Sequence, residues 1–351
     1  MYLLSATEAI SPALNRTRDF LFRSIQWRTY LKLCAVGVLT EGFWNSANRS
    51  HGGGGGGGTI GASGLLNISP GTFTALVYAG LVALLLAVVL FYVVVRLRFS
   101  LFHCLAYQVR ELTPGWRLYR EQAMRFFLLS IAVGLGYVAF ALVALSPFVP
   151  IFLRIFHQVQ QAGNSNMSTM VPIILPIALQ FIPVVLILAL VGVVIDVVMR
   201  DFMLPHMALE NASTGDAWSA VLARFSHNKG AFFLYILLRL LLPFVATMGL
   251  FVVLIIPMVL VFGIPGVMIA GLQAMLVHAT GAAWVAGIVL QIALGLLILA
   301  LWLLLVIGVG GPLSIAVRNY ALVFYGSRYE ALGDILFIPP ALAPERGPLP
   351  A

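Results

Sequence analysis

Two ionisable side chains, Asp196 and Arg239, stand within apolar stretches that are long enough to cross a membrane. Charged groups at such depth are costly, so they mark ion paths or structural pairs. Asp196 lies four residues before Arg200, which is the spacing of a salt bridge along one helix. A pair between Asp196 and Arg239 would instead fix the register of two neighbouring spans, or form part of a proton or ion path. Arg239 could also extend to the lipid headgroups.

The residue types that usually carry catalysis or bind metals are scattered along the chain. The histidines are His51, His103, His157, His206, His227 and His278, and the two cysteines are Cys34 and Cys104. His103 and His206 could ligate a metal or a tetrapyrrole, although such histidines more commonly hydrogen-bond. The sequence has no Cys-x-x-Cys pair, no triad and no paired carboxylates. We therefore predict no enzyme activity, no catalytic residue, no metal site and no cofactor.

The composition excludes an ordinary soluble enzyme and a disordered chain. Of 351 residues, 61% are hydrophobic and 9% are charged, and the mean hydropathy is +1.03. Soluble domains contain about 45–50% apolar and about 25% charged residues. The sequence therefore predicts an all-α, polytopic bundle of transmembrane helices.

About 20 apolar residues are needed for a helix to cross the bilayer core. We predict six spans, at Leu31–Phe43, Thr72–Val95, Phe126–Pro147, Val171–Met199, Ala231 to beyond Pro257, and Ala282–Ile307. The first span is short, and we expect its Glu41 to be solvated near the outer face. The segment 257–281 is apolar but broken by Pro and Gly, which indicates a kinked extension or a re-entrant piece. A seventh span is the alternative.

Basic residues are distributed unequally between the two sides of these spans. With the N-terminus in the cytoplasm, 17 of the 20 Lys and Arg lie in inner segments, and only Arg49 and Arg154 lie outside. Arg239, inside a span, completes the set. Cytoplasmic loops carry such an excess, so we predict that both termini are cytoplasmic. The net charge of +8 is thereby explained by orientation and by contact with the bilayer and its anionic headgroups, not by nucleic acid.

The segments between the spans are too short to form a further domain. Residues 46–70 make an outer loop with seven consecutive glycines, which is typical of a flexible linker and lacks the Gly-Lys-Ser/Thr end of a phosphate loop. Residues 155–170 make a second polar loop, and 339–351 a Pro-rich C-terminal tail. No signal peptide is evident, so we expect the mature chain to begin near Met1.

The inner ends of three spans share an arginine followed by an aromatic residue. These arginines are Arg98, Arg200 and Arg318. Trp116 follows Arg98 by 18 residues, and Trp218 follows Arg200 by the same number. Arginine and tryptophan concentrate at membrane interfaces, so we predict that these five residues are interface anchors. The spacing also predicts a threefold parallel repeat of helical hairpins within one membrane domain spanning 1–351. Its units are 11–99, 113–202 and 214–320.

Each repeat unit is expected to begin with a short amphipathic helix on the inner side. Ser or Thr followed by Pro at 11–12 and 113–114, and Thr214, are typical helix starts. Apolar residues then recur at helical spacing in two sets, Phe102, Leu105, Val109, Leu112 and Trp218, Val221, Leu222, Phe225. We interpret these helices as cytoplasmic elbows that lie in the interface or seal the inner end of the bundle.

One inner segment resembles a known family. Residues 200–210 (Arg-Asp-Phe-Met-Leu-Pro-His-Met-Ala-Leu-Glu), followed by Trp218, resemble the signature of an uncharacterised prokaryotic family of multi-pass membrane proteins; 9–13 and 328–333 fit it too. That family is similar to the membrane domain of some glycerophosphoryl diester phosphodiesterases. The resemblance implies a six-helix bundle of hairpins with elbow helices in a prokaryotic plasma (inner) membrane. It implies no hydrolase activity, because the phosphodiesterase catalytic domain is absent from the sequence.

Two classes of function fit these observations. The first is a structural scaffold or an accessory subunit, with a membrane protein partner or a second copy of the chain beside it. The alternative is a transporter or lipid-handling protein, which the internal repeat, the prolines within spans and an Asp196–Arg239 pair would favour. Against transport, transporter repeats are often inverted, whereas these are parallel.

Overall fold

A computed structural model describes residues 3–23, 26–49, 70–154, 167–276 and 280–337, and they contain helices and turns but no strand. This confirms the all-α prediction. Most of the two predicted outer loops, the whole tail 339–351, and three of the histidines lie outside the described residues. Those histidines are His51, His157 and His278.

The described residues form a succession of α-helices, and several are joined end to end by π-helical turns. Along the first part of the chain they are α1 (Ile10–Phe22), α2 (Trp27–Arg49), α3 (Pro70–Tyr107), α4 (Leu112–Leu118), α5 (Arg120–Leu145), α6 (Met167–Val197) and α7 (Leu204–Leu209). The remainder are α8 (Thr214–His227), α9 (Lys229–Met258), α10 (Ile264–Leu276), α11 (Ala282–Leu305), α12 (Gly311–Gly326) and α13 (Glu330–Phe337). The π-helical turns are Val198–Met203, Val259–Gly263 and Val306–Gly310.

Six segments in the described residues are long and apolar enough to cross a membrane, which confirms a polytopic protein. They are Thr74–Tyr107, Arg120–Arg154, Leu179–Leu209, Lys229–Leu250, Leu254–Leu276 and Ala282–Gly326. Helix α2, which contains the predicted first span, is not among them. Most of the predicted extension at 257–281 lies instead in one of the six segments, Leu254–Leu276. Helix α9, the π turn after it and α10 form one helical run up to Leu276.

Contacts divide the chain into two compact units. The first unit combines Met1–Tyr119 with His227–Ala351, and the second is Arg120–Ser226. The prediction of a single domain over 1–351 and of three repeat units within it stays a prediction.

Helix α12 is the centre of the first unit. Every residue from Ile315 to Gly326 is buried, so the helix is covered on all sides. Helices α1, α2, α9 and α13 pack against it. The contact with α9 is aromatic, since the ring of Tyr235 stacks on Phe324 at 4.4 Å and on Tyr320 at 5.2 Å between centroids.

Helix α3 continues past the point where the sequence analysis ended the second span. Arg98 lies nine residues before its end at Tyr107, and Gln108 then stops the helix with a left-handed φ of 55°. The predicted inner helix over Phe102–Leu112 is therefore wrong. Phe102 and Leu105 are buried in the last turns of α3, whereas Val109 is exposed in the turn before α4.

The second unit contains a hairpin of α5 and α6. The Tyr137 hydroxyl donates to the Leu188 carbonyl oxygen at 2.8 Å, and the ring of Phe181 makes edge contacts with Phe148 and Phe152. Asn211, with a φ of 49°, lies between α7 and α8.

Helix α8 does not bury the whole of its predicted apolar face. Val221 is buried, but Trp218, Leu222 and Phe225 are exposed. The Ser213 hydroxyl, not Thr214, accepts from an amide of the first turn, that of Asp216.

Gly311 allows α12 and α2 to approach closely. A Cβ atom built at Gly311 would overlap the Cys34 Cβ and lie 2.6 Å from the Cys34 Cα. Only a residue without a side chain fits this crossing, because the obstructing Cα is backbone.

We expect Gly311→Ala to lower the free energy of unfolding in mixed micelles by about 1–3 kcal/mol, because the two helices must separate. Gly295→Ala in α11 is the matched control, since a Cβ atom added at Gly295 would have no heavy atom within 4 Å. Equal stability of the two variants would contradict the close crossing.

Candidate functional site

An ion pair joins two helices of the first unit that are far apart in sequence. Arg239 of α9 donates through Nη2 to Glu41 Oε2 of α2 at 3.0 Å. The two side chains are only 9% and 12% exposed. The prediction that Glu41 is solvated is therefore wrong. Its carboxylate neutralises a cation within the protein.

Asp196 and Arg239 each have a partner of opposite charge within their own unit, and the predicted pair between the two stays a prediction. Arg200 donates through Nη1 to Asp196 Oδ2 at 2.7 Å, which is the alternative spacing of four residues on one helix. An intrahelical partner needs no second helix in register, and Glu41 supplies the carboxylate for Arg239.

The three arginines predicted as headgroup anchors are buried in protein. Arg98, Arg200 and Arg318 are 6%, 5% and 3% exposed. The Arg98 Nε donates to the Thr40 carbonyl oxygen at 3.3 Å. The helical runs continue for eight or nine residues beyond these arginines, to Tyr107, Leu209 and Gly326, and the interface role of the three arginines stays a prediction.

The two predicted tryptophan anchors differ from each other. Trp116 in α4 is half-buried, and its carbonyl oxygen accepts from Arg96 Nη2 at 2.6 Å while the same guanidinium lies 4.1 Å from its ring centroid. Trp218 in α8 is 46% exposed. Their role at the membrane interface stays a prediction.

His103 and His206 are both buried, near the C-terminal end of α3 and in α7. His206 Nδ1 lies 3.1 Å from Glu210 Oε2, and its Nε2 lies 3.4 Å from Arg224 Nη1. Since a guanidinium only donates, Nε2 accepts and Nδ1–H donates to the carboxylate. His103 Nδ1 faces the Tyr119 hydroxyl at 3.4 Å, and burial raises the Tyr119 pKa. Within the described ranges, no three His, Cys, Asp or Glu side chains form a group that could hold a metal.

Arg16, which is not among the predicted site residues, connects three helices. Its Nη2 donates to the carbonyl oxygens of Leu105 and Ala106 in the last turn of α3, at 2.9 and 2.8 Å. Its Nη1 donates to Leu336 in the last turn of α13, at 3.2 Å. A cation at helix C-termini satisfies orphan carbonyls and opposes the negative end of the helix dipole. Burial lowers the Arg16 pKa to about 10, so the guanidinium remains charged at neutral pH.

A second buried polar contact lies along the same face of α1. Asn319 of α12 donates through Nδ2 to the Thr17 hydroxyl at 2.8 Å, and the Tyr320 hydroxyl donates to the Ala6 carbonyl oxygen at 3.0 Å. A signal for Arg16 existed, because it shares a helical face with the buried Ala13 and Phe20. These contacts position helices; they bring together no nucleophile and general base.

Replacing only one member of the Arg239–Glu41 pair should be strongly destabilising. We expect Arg239→Gln to lower the free energy of unfolding by about 3–5 kcal/mol, because the largely buried Glu41 carboxylate loses the guanidinium that it pairs with. The double variant Arg239→Gln/Glu41→Gln should recover most of that loss in a thermal unfolding assay. If the double variant is as unstable as the sum of the single ones, the two side chains are not coupled.

Removing the Arg16 guanidinium should loosen the ends of α3 and α13. We expect Arg16→Gln to cost about 2–3 kcal/mol of unfolding free energy, since hydrogen bonds from charged groups are worth about 1.5–3 kcal/mol each and glutamine replaces part of them. Hydrogen exchange at the amides of these two helix ends should rise. Arg18→Gln, on the exposed side of α1, is the control and should change neither quantity.

Comparison with known proteins adds a family but no activity. No curated protein and no solved structure matches the chain. A family model matches residues 4–335, which includes every helix described above except the last two residues of α13. That match shows no link to the membrane domain of the phosphodiesterases. The chain therefore belongs to a protein family of unknown function, DUF7544, and is an integral membrane protein with six apolar segments long enough to span a bilayer.

Proposed function

We propose that this protein is a structural scaffold or accessory subunit of a membrane assembly. The observation that carries the proposal is the use made of its buried polar side chains. Arg16, Asn319 and Arg239 each connect helices that lie hundreds of residues apart in sequence, by 320, 302 and 198 residues. These buried polar side chains of the first unit thus hold helices in position.

The apolar segments supply the surface for a partner. In the most apolar window of each of the six segments, between 0% and 11% of the residues are buried. The exposure is greatest in the hairpin of α10 and α11, where both windows are 0% buried. Lipid covers such surfaces, and membrane helices of another protein or of a second copy associate with them through van der Waals packing.

The orientation and the membrane belong to the same proposal. The excess of Lys and Arg in the inner segments supports cytoplasmic termini in a prokaryotic plasma membrane. A relation to the membrane domain of glycerophosphoryl diester phosphodiesterases, suggested by residues 200–210, remains part of the proposal. Three parallel hairpins, each preceded by an inner helix, would give the scaffold its internal repeat.

A transporter or lipid-handling protein is the second candidate. One specific observation favours it: π-helical turns interrupt the runs that contain Arg200, Pro257 and Pro312. Such turns are frequently found at functional sites and permit helices to bend. The two candidates differ in what should remain bound to the purified protein.

Purification from native membranes in polymer-bounded discs, followed by mass spectrometry, tests the proposal. We expect a membrane protein to be retained at a fixed stoichiometry. Val267→Trp on α10 should reduce its recovery by hindering docking, whereas Val143→Trp on α5, equally apolar and also highly exposed, should not. A chain recovered alone with a defined small molecule would overturn the scaffold and favour transport of that molecule.

A further inference from the structure

An open cleft of about 330 Å³ lies at the C-terminal end of α1, close to the start of α2. This place is called the elbow below. Its walls are Arg18, Asp19, Phe22 and Arg23, all from the exposed side of α1. The opposite side of α1 is fixed against α12 by the buried Phe20 and by the Thr17–Asn319 hydrogen bond. The cleft therefore lies on a helix whose orientation is set by the core of the first unit.

The cleft is positively charged, and its cations are available to a ligand. In the described residues neither the Arg18 nor the Arg23 guanidinium makes a hydrogen bond or an ion pair, and Asp19 is the single carboxylate in the lining. Arg28 and Lys32, one turn apart on the exposed side of α2, add two more cations beside the elbow. Two guanidinium groups on one cleft match the oxygens of a phosphate, which they bind by paired, charge-assisted hydrogen bonds.

Aromatic side chains border the same elbow. Trp27 is 70% and Phe22 48% exposed, and the ring of Tyr30 lies 6.0 Å from each of them. The Tyr30 hydroxyl donates to the Gly308 carbonyl oxygen in the π turn of a membrane segment, at 2.9 Å. Exposed aromatic rings beside cations are characteristic of the headgroup level of a bilayer. A phosphate at this level is attached to acyl chains, which can lie against neighbouring apolar helices.

We propose that the cleft of Arg18, Asp19, Phe22 and Arg23 is a binding site for the headgroup phosphate of an anionic phospholipid. The proposal is independent of the scaffold, because a bound lipid requires no protein partner. Arg18 and Arg23 hold the phosphate oxygens, while Asp19 limits the net charge of the site and disfavours a second anion.

The test uses the full chain in nanodiscs made of equal parts phosphatidylcholine and phosphatidylglycerol. Native mass spectrometry of the released protein measures how much phosphatidylglycerol stays bound. We expect Arg18→Gln/Arg23→Gln to weaken retention roughly tenfold, from the loss of two cations near an anionic lipid. The matched control is Arg117→Gln/Arg120→Gln, which removes the same charge from exposed positions on α4 and α5.

Three results would overturn the site. An equal loss of phosphatidylglycerol retention in both double variants would mean that the basic surface attracts anionic lipid without a defined site. Unchanged retention in Arg18→Gln/Arg23→Gln, with the wild-type unfolding temperature as evidence of folding, would exclude these two arginines. Binding of inorganic phosphate that depends on Arg18 and Arg23, without any preferential retention of phosphatidylglycerol by the wild-type protein, would assign the cleft to a free phosphate. Success or failure here leaves the recovery of a protein partner unaffected, so the two proposals are tested separately.

Discussion

Complete burial of α12 is the constraint on which the rest of the first unit depends. A helix covered on every side must find partners inside the protein for each polar side chain, since unpaired polar groups in a medium of low dielectric are costly. The Asn319 amide nitrogen and the Tyr320 hydroxyl find such partners in the Thr17 hydroxyl of α1 and in the Ala6 carbonyl oxygen just before α1, which holds this part of the chain on α12. Close contact with α2 requires Gly311, and contact with α9 requires the flat ring of Tyr235.

The protein separates its polar and apolar chemistry along the length of its helices. Several described buried polar residues, namely Arg98, His103, His206 and Asn319, lie toward the C-terminal ends of the long helical runs. Away from these ends, the runs are apolar and exposed, and the surrounding lipid is their solvent. Packing and side-chain hydrogen bonds therefore hold these C-terminal ends, while backbone hydrogen bonds within each helix suffice for the apolar parts.

Much of the architecture follows from the sequence, because hydropathy and helix length are local properties. The apolar stretches and the helical continuation past Pro257 follow from the sequence in this way. The ends of the runs were misplaced after Arg98, Arg200 and Arg318. An arginine was interpreted as an exit to the headgroups, although Leu101, Phe102 and Leu105 continue the apolar spacing beyond it.

The partners of charged residues were harder to predict than the positions of the helices. Nothing in the spacing of Glu41 and Arg239 indicates that they meet, since 198 residues separate them and their contact depends on how helices pack. Asp196 and Arg200 could be paired from sequence, because both lie on one helical run. Arg16 shares a helical face with apolar residues, which suggests that it is buried. Its acceptors cannot be predicted from the sequence, because they depend on which helix ends pack beside it.

The hydrogen bonds of Arg16 also affect the order in which the protein can be assembled. Its first two acceptors, Leu105 and Ala106, are translated early, but Leu336 lies 320 residues downstream. While the ribosome is still adding the later hairpins, the guanidinium has only part of its final set of acceptors. The ends of α3 and α13 are therefore joined through Arg16 only after α13 has been translated.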